Sequence, residues 1–113
     1  MPELVTIPDP VAGTGASARV RVDRRVDRRA PGEPGPHPPL VILGGMTQTL
    51  ASWGGQLRPL SAARPVVVYE ARGQGHSELA VADVSPARHV DDFVALLAAL
   101  ALPAPVDLCG FSF

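Results

Sequence analysis

The sequence predicts an α/β protein: a mostly parallel sheet with an antiparallel hairpin at its start and helices on both faces. Three observations lead there. Leu40-Val41-Ile42-Leu43, Pro65-Val66-Val67-Val68-Tyr69 and Val106-Asp107-Leu108-Cys109 are short, largely apolar runs bounded by proline or glycine, as suits strands buried on both faces. Between them lie two segments whose apolar residues recur at helical spacing. Ahead of them, Ala18-Arg19-Val20-Arg21-Val22-Asp23 alternates apolar with charged residues, the period-2 pattern of a half-buried strand. Apolar strands alternating with amphipathic helices imply a parallel sheet closed by right-handed crossovers.

The elements follow in order. Residues 4–7 form a first short strand closed by Pro8-Asp9-Pro10, and the Gly- and Ala-rich residues 11–17 read as a turn. The alternating strand comes next. Its continuation, residues 24–29, carries four arginines with Asp23 and Asp27 beside them; this is the solvated, charged face of an edge strand rather than an anion site. Residues 30–39 hold five prolines and two glycines and form a surface loop, in which His37 is solvated. The first buried strand, residues 40–43, leads through Gly44-Gly45-Met46-Thr47-Gln48-Thr49 into a helix over residues 50–63, with Leu50, Trp53, Leu57 and Leu60 on one face; Gly54-Gly55 and Pro59 weaken it. After the second strand, residues 70–79 form a glycine-containing loop. Ser85-Pro86 opens the strongest helix, serine being a good N-cap and proline favoured at the first helical position. Val90, Phe93, Val94, Leu97 and Leu100 make its apolar face; Arg88, His89, Asp91 and Asp92 begin the polar one. Pro103 and Pro105 end it, and the third buried strand follows.

Bulk properties narrow the function. The 113 residues are one domain's worth of chain, 46% apolar and 19% charged, with net charge −1 and arginine as the only strongly basic residue. Nothing in that balance favours nucleic acid or an anionic membrane. Cys109 is the sole cysteine, so no intrachain disulfide forms. No signal sequence opens the chain, and the longest apolar run, residues 94–102, is far below the ~20 residues that span a bilayer. A soluble protein of the cytoplasm or an organelle is expected, and no oligomeric state follows from the sequence.

Ligands of such sheets bind beyond the carboxyl ends of the strands. Three loops leave those ends: Gly44 onward, Glu70 onward, and Gly110-Phe111-Ser112-Phe113. The first lacks both the Gly-x-Gly-x-x-Gly spacing of a dinucleotide site and the Gly-Lys-Ser/Thr ending of a phosphate loop, so no cofactor is expected, nor a metal. The last reads as the opening of a nucleophile elbow, the strained strand-to-helix turn that exposes a serine hydroxyl.

In combination and in this order, the three loops resemble those of the α/β-hydrolase superfamily, over roughly residues 40–113. The family has His-Gly-x followed by a tryptophan, where this chain has Gly44-Gly45-Met46 and Trp53; Asp-x-Arg-Gly-x-Gly-x-Ser, where it has Glu70-Ala71-Arg72-Gly73-Gln74-Gly75-His76-Ser77; and Gly-x-Ser-x-Gly, where it has Gly110-Phe111-Ser112-Phe113. The resemblance implies Ser112 as nucleophile and the backbone N–H groups of Met46 and Phe113 as the pair that holds the developing oxyanion. Gly44, Gly45 and Gly110 shape the loop and the elbow. Gly44 and Glu70 depart from the usual histidine and aspartate; Glu70 and Arg72 are expected to hold loops, His76 and His89 to be solvated, and Cys109 to be small core filler. The family's chain order is serine, acid, histidine, so base and acid are expected beyond residue 113. Residues 1–113 would then be the N-terminal part of one domain (hairpin 1–29, loop 30–39, core 40–113), with the last strand an edge and no activity of its own. The implied reaction is attack on a small ester- or thioester-type substrate. Two alternatives are a lyase of the menaquinone/phylloquinone-pathway branch, which eliminates pyruvate with the same triad, and a non-catalytic truncated product or interaction module.

Overall fold

Val66, Val67 and Val68 are all fully buried, and this strand sets the architecture: its side chains alternate between two cores, one on each face of the sheet. The structure is a computed structural model and describes residues 2–25, 37–45, 48–102 and 105–111. Its elements are β1 (Pro2–Pro8), β2 (Ser17–Arg25), β3 (Leu40–Leu43), a 3-10 turn (Leu50–Trp53), α1 (Gly54–Ser61), β4 (Val66–Tyr69), α2 (Pro86–Leu100) and β5 (Asp107–Gly110). The five strands form one sheet in the order β1-β2-β4-β3-β5.

The N-terminal hairpin is antiparallel, with Pro2 opposite Asp23 and Pro8 opposite Ser17. Gly13 and Gly15 take the positive φ values, 146° and 74°, that its connection requires. β2 then pairs antiparallel with β4, Val22 opposite Tyr69. The other two pairings are parallel: Val41 lies beside Val67, and Leu43 beside Gly110. On one face Val41 and Val67 join Ile7, Val20, Val22 and Leu79 beneath Leu96 and Leu100 of α2. On the other, Ile42, Val66 and Val68 join Leu50 and Leu57 from the 3-10 turn and α1. The expected α/β sheet, hairpin and two-faced helix cover are all present.

Three local expectations need correction. The helix expected over residues 50–63 is a 3-10 turn followed by an α-helix of only eight residues. Gly54 and Gly55 stand where the 3-10 turn gives way to the α-helix, and Pro59 is accommodated inside it. Leu50, Trp53, Leu57 and Leu60 nevertheless share one core, as their spacing required. On α2, Val90 and Val94 are each 59% exposed, whereas Asp92, Leu96 and Leu100 are buried and Phe93 and Leu97 pack beside them. The inward stripe is rotated because Asp92, assigned above to the polar face, turns into the protein to meet an arginine. Finally, Cys109 is exposed rather than core filler. β5 has a strand on one side only and every one of its residues is exposed, the edge position expected for this strand.

α2 begins as predicted. The Ser85 hydroxyl accepts the Arg88 N–H at 3.3 Å, and Pro86 is the first helical residue. It stops at Leu100, ahead of Pro103, which lies outside the described residues, and Ala101 is left-handed at φ 50°, ψ 42°. An L-residue with a Cβ pays for that conformation where glycine does not. No helix among the described residues is long and apolar enough to cross a membrane. Ala101→Gly is expected to stabilise the fold by about 0.5–1 kcal/mol, read as a higher denaturation midpoint at unchanged m-value; an unchanged or lower midpoint would contradict the assigned strain.

Candidate active site

The site grows from the adjacency of β3 and β5. Parallel neighbours in register send their carboxyl ends out side by side, so Gly44-Gly45 and Gly110-Phe111 emerge together. The Phe111 N–H donates to the Leu43 carbonyl at 3.0 Å. The Phe111 ring meets Trp53 edge-on, with centroids 6.3 Å apart and planes at 84°, a favourable arrangement for two aromatic quadrupoles. The residue preceding Ser112 is therefore tied by its backbone to the end of β3 and by its side chain to the 3-10 turn. Ser112, Phe113 and Met46 themselves lie outside the described residues.

The glycines differ in what they contribute. A Cβ on Gly44 would fall 2.9 Å from Gln48 Oε1 and 3.1 Å from Trp53 Nε1, so a side chain there would require the Gln48 amide to move aside. The buried Gly45 donates its N–H to Gln48 Oε1. A Cβ on Gly110 would meet nothing within 4 Å among the described residues, so no crowding there demands glycine.

The loop after β4 is held by two buried charges. Glu70 is fully buried; Oε1 accepts the His76 N–H at 2.9 Å and Oε2 accepts the Leu50 N–H at 3.3 Å. Gly75, at φ 49°, packs against this carboxylate so closely that a Cβ would overlap it. Arg21 lies 3.8 Å from Glu70 and 2.9 Å from His76 Nδ1. His76 is a surface group, its side chain 74% exposed, as expected. Arg72 is buried and fully engaged: Nε and Nη2 donate to the two Asp92 oxygens at 2.9 and 2.8 Å, and Nη1 donates to Asp9 at 2.8 Å and to the Ala80 carbonyl at 2.6 Å. The second Asp9 oxygen accepts the Ala80 N–H at 2.9 Å. Burial pushes the Asp9 carboxyl up, but the Ala80 N–H, the Arg72 bond and its charge together outweigh that and hold it below the usual carboxylate range. The Asp92 bond, with help from Asp9, holds the Arg72 guanidinium above its ordinary value against burial. Both residues act as the loop holders that the sequence suggested.

A cavity of about 480 Å³ opens at these strand ends, walled by Gly44, Gly45, Ala71, Gly73, Val84 and His89. His89 corrects an expectation: it is half-buried and faces this cavity rather than open solvent. A signal was available, because a helix following a parallel strand starts at the strand's carboxyl end, so its first turn stands at the level of the site. Gln48 carries no such signal in the sequence. Burial, and then the Asp92 charge, push the Tyr69 phenol up to about 12, which keeps it neutral and removes it as a base near pH 7. Among the described residues no three His, Cys, Asp or Glu side chains converge as metal ligands would.

No family model matches the sequence, and no curated protein matches it. Solved structures do. A hydrolase from Pseudomonas aeruginosa PA01 is similar at TM-score 0.73 and 24% identity over 97% of this chain. An α/β-hydrolase fold protein from Burkholderia ambifaria is similar at TM-score 0.62 and 27% identity over 80%. The chain has the α/β-hydrolase fold. An enol-lactonase from Burkholderia xenovorans LB400 is similar at TM-score 0.61 and 28% identity over 82%. This chain spans 37%, 31% and 34% of those three chains respectively. In the frame of the α/β-hydrolase fold, β3, β4 and β5 are the strands whose ends carry the three matching loops.

Two outcomes follow for the charge cluster. Arg72→Ala strands two buried carboxylates and is expected to cost about 3–5 kcal/mol in chemical unfolding; a loss below 1 kcal/mol would mean that the cluster is hydrated. Asp9 has a lower pKa folded than unfolded, so unfolding takes up a proton at acid pH. Its stabilisation is complete above the ordinary carboxylate range of about 4 and is lost as pH falls through the folded value. Asp9→Asn should therefore flatten the acid limb of the stability-versus-pH curve while leaving its slope near neutrality unchanged.

Proposed function

We propose that the chain forms the nucleophile-bearing part of a serine-dependent α/β-hydrolase acting on a small ester- or thioester-type substrate. The observation that carries this reading is the pinning of Phe111 to Leu43, which sets the residue before Ser112 beside the Gly44-Gly45 loop. The Ser112 hydroxyl attacks the substrate carbonyl, and negative charge develops on the carbonyl oxygen. The N–H groups of Met46 and Phe113, on the two adjacent loops, receive that charge; one such donor is worth about 3–4 kcal/mol in the transition state. The cavity beside Gly44 and Gly45, apolar at Ala71 and Val84, takes the substrate's carbon skeleton.

A serine hydroxyl needs a base to become a good nucleophile. His76 is occupied at the surface by Arg21 and Glu70, and Tyr69 is held neutral. In this reading the histidine and its acid come from outside these 113 residues, and the chain alone is inactive. The similarity to an enol-lactonase favours an ester-type substrate, a lactone being a cyclic ester. No comparable observation favours pyruvate elimination or a purely interacting module.

In the complete polypeptide containing this chain, a serine-reactive fluorophosphonate is expected to label the protein covalently and to leave Ser112→Ala unlabelled. Equal labelling of both would remove Ser112 from the mechanism. Products separate the reactions: an acid formed with uptake of water marks the hydrolase, released pyruvate the lyase.

A further inference from the structure

We propose that His89 orients the substrate in the cavity at the strand ends, its imidazole holding a neutral oxygen, that of a ketone or hydroxyl, on the acyl chain of a short ester. The proposal rests on the reading of the chain as part of a serine-dependent hydrolase and adds to it the class of substrate.

The cavity, of about 480 Å³, lies in the lower part of the range for small-ligand sites, and its wall is mostly small and apolar. Ala71, Gly73, Val81 and Val84 bring no polar side chain to it. In such a pocket a few placed polar groups fix the orientation of the ligand. Two ionisable side chains line the wall, Arg72 and His89. Arg72 is committed elsewhere: its three nitrogens donate to Asp92, to Asp9 and to the Ala80 carbonyl. A substituent arriving in the cavity meets that fork already aimed at other acceptors. His89 differs in kind. An imidazole carries a nitrogen on each side of its ring, so one can face the cavity while the other serves another group.

The helix sets where His89 stands. His89 and Asp92 are three residues apart on α2 and therefore share a face. Asp92 is turned inward by its two bonds to Arg72, and this carries His89, one turn earlier, to the wall that Arg72 and Gly73 also form. The first turn is itself anchored, because the Ser85 hydroxyl accepts the Arg88 N–H at 3.3 Å and the Ser85 carbonyl accepts the His89 N–H at 3.1 Å. The adjacent cation does not compete for the ligand: Arg88 pairs with Asp83 at 3.4 Å and with Asp91 at 3.7 Å. Gln74, the other polar side chain of the wall, belongs to the turn after β4, where its N–H donates to the Ala71 carbonyl at 2.9 Å. A group on a regular helix is placed more narrowly than one on a loop.

Charge narrows the substituent. Behind the Arg72 wall lie two carboxylates, Asp9 and Asp92, against one guanidinium. A substrate carboxylate beside that cluster meets like charge where water screens it poorly. A ketone or hydroxyl oxygen accepts the same hydrogen bond without that repulsion. Gly44 and Gly45 line the cavity too, and they leave the sheet beside Gly110. An acyl chain held at one end by His89 therefore extends toward the strand end that carries the proposed nucleophile.

The test uses the complete polypeptide containing this chain and three p-nitrophenyl esters of similar length: the valerate, the levulinate and the hemisuccinate. Their acyl chains carry no further oxygen, a neutral ketone and a carboxylate respectively. The parent is expected to turn over the levulinate with kcat/KM at least about fivefold above either of the others. His89→Leu removes both ring nitrogens and is expected to bring the levulinate-to-valerate ratio within twofold, through a raised KM for the ketone ester. His89→Gln restores an N–H donor and is expected to recover at least half of the preference. Both esters are read on the same protein, so a merely structural loss lowers both rates and leaves the ratio standing. A parent without preference, a parent that favours the hemisuccinate, or a His89→Leu variant that keeps the parent's ratio each overturns the proposal. Ser112→Ala, run alongside, separates that failure from failure of the serine reading: activity lost in Ser112→Ala leaves the serine reading in place without His89, whereas activity retained there, or no turnover of any ester by the parent, removes both. Should His89→Leu not fold, His89→Phe, which keeps a flat ring without nitrogen, is read by the same ratio.

Discussion

The Arg72 guanidinium is the point on which the other parts of the structure converge. It joins Asp9 in the hairpin connection, the Ala80 carbonyl in the loop after β4, and Asp92 on α2. These three lie far apart in sequence, and no apolar contact could fix their relative heading so narrowly. Apolar packing is non-directional; a planar fork with bonds to two carboxylates and a carbonyl admits one arrangement. The energetic role differs from that of the valine core. A buried ion cluster recovers little net energy beyond its desolvation cost, but breaking one partner is expensive. Its contribution is to orientation: it decides which face of α2 turns inward, and so places Leu96 and Leu100 on the sheet.

Glu70 does at the strand ends what Arg72 does in the interior. One carboxylate binds the Leu50 N–H after the first loop and the His76 N–H within the second. One side chain therefore ties the start of the 3-10 turn to the loop after β4. This gives the Gly-x-Gly spacing of the β4 loop a physical cause. Gly73, at φ 78°, makes the turn, and Gly75 lets the backbone close onto the carboxylate where any Cβ would collide. Glutamate in place of the shorter aspartate keeps both contacts, one of them across to a neighbouring element.

The valine runs, the alternating β2 and the Ser85-Pro86 helix start were legible in the sequence because each reports on local geometry: buried on both faces, buried on one, or capped. Charge does not mean surface in this chain, where Asp9, Glu70, Arg72 and Asp92 are all buried. Asp92 sits at the right phase for the core, but a charged residue at such a position reads as polar until its partner is known, and Arg72 is twenty residues away. Val90 and Val94 recur with Phe93, Leu97 and Leu100 at helical spacing, which points to a stripe one step away from the one that Asp92, Leu96 and Leu100 bury. Cys109 differs: the edge position of β5 was expected, but an apolar strand reads as covered on its faces, whereas all four residues of β5 are exposed. Within the candidate site, the glycines and the loop positions were legible from motif order. Gln48 was not, because its work is done through an unseen backbone N–H, and a glutamine in a loop ordinarily signals only solvent.

The requirements visible here fall mostly on backbone: a Leu43 carbonyl to hold Phe111, a Gly45 N–H to be held, and an absence of side chain at Gly44 and Gly75. Backbone groups are supplied by every residue type, so the demand on identity is confined to a few glycines and to the side chains that reach them. Gly44 illustrates this. The space a larger residue would occupy is filled from Gln48 and Trp53, so the loop is still supported, but from a different position in the chain. A family pattern written in residue types registers that exchange as a mismatch. The order β4-β3-β5 has the same character. Crossing from β4 over β3 to β5 reverses the strand order at β3, and the crevice beyond such a reversal is open for a ligand whichever side chains line it.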